Sequence, residues 1–173
     1  VPASVQRQSF PHVDGDARTS FITKERRQGF EFWRVLECTH NYTNSVYFAD
    51  TPERTKWQGY DAIAQTKEAS RFIRESARSD KPFLLYLSWG PPHDPYFSAP
   101  EKYRALYDPE KLKLRPNVPA EMQKETRRIL AGYYAHCTAL DDAMGELLKA
   151  LEKSGEAGNT IVLFDVPSDR RDE

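Results

Sequence analysis

The stretch "SWGPPHDPY", Ser88 to Tyr96, sets one imidazole, His93, among three prolines. An imidazole changes charge near neutral pH, so a histidine held in one place suits proton transfer or contact with an anion. Pro91, Pro92 and Pro95 supply the holding: none has a backbone N–H to donate, and each pushes the residue before it toward extended geometry. The same residues would serve equally to pack a rigid turn around His93 and Tyr96, so the loop alone leaves both roles open. The two cysteines, Cys38 and Cys137, lie far apart without metal-type spacing. That argues against a disulfide framework or a thiolate zinc site and for two buried thiols.

The elements that must position His93 can be read on either side of it. The apolar run from Phe83 to Trp89, bounded by Pro82 and Gly90, predicts a central strand, and the chain leaves the sheet at Gly90. His93 then follows a strand's carboxyl end, the rim at which open α/β sheets bind ligands. Before the strand, Tyr60, Ile63, Ala64, Phe72, Ile73 and Ala77 recur at helical spacing opposite Lys67, Glu68, Arg71, Arg74 and Glu75, which predicts an amphipathic helix over 59–78. After it, Ile129, Tyr133, Cys137, Leu140, Met144, Leu147 and Leu151 form one apolar stripe on a helix from Pro119 to Ser154, closed by Gly155 and Gly158.

"NTIVLFDV" adds a second β-branched strand at Thr160–Phe164, completing a strand, helix, strand order of α/β type. The right-handed crossover rule makes the two strands parallel, with the long helix on the face of their sheet. Upstream, "FEFWRVLECT" and "NSVYFAD", parted by "HNYT", suggest a hairpin-like excursion; "APEKYRALYDPEKL" reads as a short helix or turn, and 108–119 as a surface loop.

A chain of 173 residues with a formal net charge of -1 suits one domain with no electrostatic preference for nucleic acid or membrane. No stretch approaches the ~20 apolar residues of a membrane span. "VPASVQRQSF" has neither the charged start nor the apolar centre of a signal peptide, and the compartment stays unknown. "NYT" at Asn41 fits the glycosylation sequon, a triplet too short to carry meaning alone.

Taken in order, "GYDAIAQTKEASRFI", "KPFLLYLSWGPPHDPY", "LAGYYAHCTALDDAMGELLKALEKSG" and "NTIVLF" resemble the middle of type I sulfatases, in the alkaline phosphatase superfamily, over roughly 18–164. The resemblance implies a partial α/β core with a parallel or mixed sheet flanked by helices, a single domain over 1–173 that is incomplete at both ends, and a parent reaction of sulfuric ester hydrolysis. It places His93 at the histidine that contacts the sulfate ester near its leaving oxygen. The family's nucleophile is a Cys or Ser in a C/S-x-P-x-R motif, converted to formylglycine, and neither "CTHNY" nor "CTALD" has that form.

The family also binds a divalent cation, commonly calcium, through an early Asp-Asp pair and a late Ser-Asp-His/Asn-Gly motif. Here the early pair is missing. Asp141 and Asp142 match a structural aspartate on the family's long helix rather than a metal ligand. Ser168 and Asp169 resemble the late pair, but they stand two residues late and are followed by Arg170 and Arg171, which disfavour a cation. "PHVDGDARTSF" sets His12 at a family histidine and Phe10 where the family has lysine. Three readings follow: a sulfatase segment without turnover of its own, a non-enzymatic module that binds a sulfate ester or other small anion, or a structural module that self-associates through exposed sheet edges. Arg18, Lys24, Arg26 and Arg27 could add positive charge to an anion site, though a run such as "KERR" is more often a solvated face. No cofactor is expected in this chain itself.

Overall fold

The computed structural model describes residues 19–36 and 39–165. Among them the chain forms strands β1 (Val46–Phe48) and β2 (Arg54–Lys56), helices α1 (Asp61–Ser76), α2 (Glu101–Arg104) and α3 (Gln123–Ser154), and several single 3-10 turns. Both long helices stand where the apolar periodicity predicts them. α1 starts after the extended Tyr60, with Asp61 in its first turn, where a carboxylate complements the amino-terminal dipole. α3 follows a 3-10 turn at Ala120–Met122 and ends at Gly155, whose φ of 82° is the left-handed conformation that glycine adopts at helix ends without a Cβ clash.

α1 packs on α3, and the face each buries is made of small residues. On α1 these are Ala62, Thr66, Ala69 and Ser70 with Ile73; on α3 they are Ala131, Gly132, Ala135, Ala139, Ala143 and Ala150, together with His136 and Leu151. The predicted stripe of α3 is rotated from this face by roughly a third of a turn at 100° per residue. Its members Cys137, Leu140, Met144 and Leu147 are half-buried, and Ile129 and Tyr133 are exposed. α3 thus has two adjoining apolar faces, and the small one makes the close helix contact.

The sheet departs from expectation. Residues 82–89 lie outside the helices and the ladder, with Phe83, Leu85, Leu87 and Trp89 half-buried and Leu84 and Tyr86 75% and 78% exposed. That is the period-two alternation of a strand, yet the segment makes no ladder to a described residue. Thr160–Phe164 likewise makes no ladder to a described residue, with Ile161 and Leu163 both 87% exposed. The expected parallel pairing of these two segments is not made; the ladder among the described residues is antiparallel, Val46 to Lys56 through Phe48 to Arg54. A strand acquires its ladder only from a neighbour, and neither segment has one among the described residues. The predicted hairpin is also rearranged: Phe48 meets Val35 in a single bridge, while β1 takes β2 as its partner.

Behind the loop after residue 89, Tyr42, Tyr60, Ala62, Ala99, Tyr103, Ala135 and Ala139 form a continuous core, with Trp89 and Leu140 packed against it. No described helix is long and apolar enough to cross a membrane.

Candidate functional site

His93 lies in the exposed part of the 90–98 loop, with its ring open to solvent. The backbone beneath it is tied down at several points. His93 N–H donates to the Gly90 carbonyl at 3.4 Å, and the Ser98 hydroxyl donates to the Pro95 carbonyl at 2.8 Å. Tyr42, buried in the core, donates from its hydroxyl to the Asp94 carbonyl at 3.1 Å. A Cβ on Gly90 would meet the Tyr42 ring at 2.6 Å, so the close approach of loop and ring requires glycine. A Cβ on Gly132 of α3 would fall 2.3 Å from the Tyr96 carbonyl oxygen, which fixes how closely the helix carries the loop.

Under Pro95 sits His136, fully buried on α3. Its Nε2 lies 3.3 Å from the Pro95 carbonyl, which can only accept, so Nε2 carries the proton. Nδ1 therefore accepts from the Tyr60 hydroxyl, 2.6 Å away. Burial holds the His136 pKa below its ordinary value, and burial with the neighbouring Asp61 pushes that of Tyr60 up. Both groups stay neutral, and the pair forms a fixed polar pillar under the proline loop.

Beside His93 stand two groups that could act with it. Its Nδ1 is 2.7 Å from Asp94 Oδ1, and the ring of His40 approaches with centroids 4.7 Å apart. One donor atom from each of His40, His93 and Asp94 lies within 4.8 Å of the others. His40 is brought there by the 39–43 turn, in which Asn41 N–H donates to Thr39 Oγ1 at 3.0 Å and Thr43 N–H to Asn41 Oδ1 at 3.1 Å. Neither His40 nor His136 stands out in the sequence. One sits in a short polar connection far from His93, and the other lies beside the apolar positions of a long helix; only the folded chain brings them to the loop.

The remaining expectations fare unequally. His12, Asp169, Ser168, Arg18 and Cys38 lie outside the described residues. Arg27 is buried and spent on structure: it donates to the Ile22 and Ala49 carbonyls and meets Asp50 Oδ1 at 2.8 Å, which corrects its assignment to an anion site. Cys137 is half-buried, and burial raises its thiol pKa. Asp142 accepts from the Tyr103 hydroxyl at 2.9 Å and lies 3.8 Å from Lys102 Nζ, the contacts of a structural aspartate.

Calcium wants six or more oxygen ligands. Among the described residues, the metal-capable group is two imidazoles and one carboxylate, and this donor set does not fit that ion. A groove of about 800 Å³ runs between α1 and α3 past Lys67, Arg74, Lys102, Asp141 and Lys149 and contains none of the candidate residues.

A family model described as Sulfatase matches residues 9–169. The chain is similar to an ulvan-active sulfatase of Formosa agariphila, 44% identical over 154 residues that cover 88% of this chain and 30% of that protein. It is also similar to an endo-4-O-sulfatase of Bacteroides thetaiotaomicron, 28% identical over 155 residues, 84% of this chain and 30% of that one. The crystal structure of yidJ from Bacteroides fragilis, described as a sulfatase, superposes with a TM-score of 0.73 at 29% identity, over 81% of this chain and 32% of its own. The chain thus spans about a third of the length of the relatives it matches. These neighbours make its helices and extended segments part of an α/β core.

Proposed function

The chain belongs to the sulfatase family, and from that premise we propose that it is the substrate-contacting central segment of a sulfuric ester hydrolase, without turnover of its own. The observation that carries this reading is His93, exposed on a loop anchored from below by Tyr42 and His136. An imidazole there can donate a hydrogen bond to a sulfate oxygen or a proton to the departing alcohol. The names of the relatives suggest a sulfated carbohydrate as the parent substrate. Cleavage of the S–O bond also needs a nucleophile and a cation to offset the sulfate charge, and this sequence has no C/S-x-P-x-R motif to supply the first. One histidine replaces neither.

The test is release of nitrophenolate from p-nitrophenyl sulfate by the chain, produced together with a formylglycine-generating enzyme and supplied with calcium. No release above background is expected. Turnover abolished by His93→Ala would contradict the reading, and Asp169 and His12 would be the next positions to substitute.

A further inference from the structure

We propose that His40, His93 and Asp94 form a binding site for a borderline divalent metal, with zinc as its best occupant. The proposal stands on side-chain geometry and is independent of the family reading, although it shares His93 with it. Two nitrogens and one carboxylate oxygen are the donors preferred by zinc, cobalt, nickel and copper, and a poor set for calcium or magnesium. Two ligands on one zinc, at bonds of about 2.1 Å, stand roughly 3 to 3.4 Å apart. His93 Nδ1 and Asp94 Oδ1, at 2.7 Å, need only open slightly. The widest separation in the set, 4.8 Å at most, must close. All three side chains are exposed, whereas the His93 N–H and the Asp94 carbonyl are hydrogen-bonded to Gly90 and Tyr42.

The holding is specific to this pair of loops. Tyr42, two residues after His40, is bonded to the carbonyl of Asp94 and packed on Gly90, so one buried ring joins the turn that carries His40 to the loop that carries His93. Two imidazoles with centroids 4.7 Å apart repel if both are protonated. A divalent ion relieves this by taking lone pairs from both, and Asp94 offsets part of its charge. Three protein ligands leave a position open for water or an anion, as in metal sites that exchange ligands.

The experiment titrates zinc chloride into the tag-free full chain by calorimetry and repeats the titration with cobalt(II) followed by its visible absorption. One equivalent of zinc per chain is expected, not displaced by excess calcium. His40→Ala and His93→Ala should each weaken binding by roughly tenfold or more, with Asp94→Asn weakened less. A Cys38→Ser/Cys137→Ser variant should bind as the wild type does. Circular dichroism checks that the fold survives, as substitution of three exposed side chains should allow. No zinc uptake by the wild type, undiminished uptake in both histidine variants, or loss of uptake in the cysteine variant would each overturn the site. Sulfate binding that depends on His93 without any zinc binding would end this proposal and leave the sulfatase reading standing; zinc binding without sulfate binding would do the reverse.

Discussion

His93 was legible from sequence because three prolines and a preceding apolar run isolate it; what holds it was not, since Tyr42, Tyr60 and His136 reach it only through the core. Two residues there make testable differences. Burial pushes the Asp61 carboxyl from 3.8 to about 6, against the opposing hydrogen bond from Ser45. The folded chain therefore keeps a proton that the unfolded chain releases, so this group's contribution is full below pH 3.8 and is lost as pH rises through about 6. Asp61→Asn cannot ionise. Across that window the wild type should lose roughly 3 kcal/mol relative to Asp61→Asn in chemical denaturation, and a constant difference would refute the assignment. Gly132→Ala drives a methyl into the Tyr96 carbonyl. It should cost about 2 kcal/mol or more and shift the amide NMR signals of 93–98; unchanged stability and spectra would mean that the helix does not set the loop's height.

At the scale of elements, periodicity located α1 and α3 and misjudged which face of α3 is buried. The large stripe from Ile129 to Leu151 and the small one from Ala131 to Ala150 are both apolar. Hydrophobicity favours the former, whereas close packing of two helices selects small side chains, which the apolar count undervalues. The alternating burial of 83–89 was legible and its pairing was not, because an apolar run there or at 160–164 says nothing about where a partner comes from. Their exposed apolar side chains, on segments that make no ladder among the described residues, are the features that draw strands together between chains. The chain on its own should therefore self-associate as its concentration rises in sedimentation velocity, and Leu84→Lys should shift it toward monomer. A wild type that stays monomeric at every concentration, or a Leu84→Lys variant that associates equally, would argue that these edges are inert.

Taken whole, the molecule is a sulfatase-family core segment in which the loop carrying His93 is supported from the core by Tyr42, and the sequence has no C/S-x-P-x-R motif. Its fold class and family could be read from the order of four stretches, because their spacing reflects one α/β arrangement; retained chemistry depends on a few side chains and must be measured. The central claim is that His93 contacts a sulfate ester without turning it over. Calorimetric titration of p-nitrophenyl sulfate into the chain reads both halves at once. The account predicts a weak, saturable binding heat that disappears in His93→Ala, with the signal returning to baseline after each injection. Binding unchanged by His93→Ala, or a continuing heat of hydrolysis in the wild type, would contradict it.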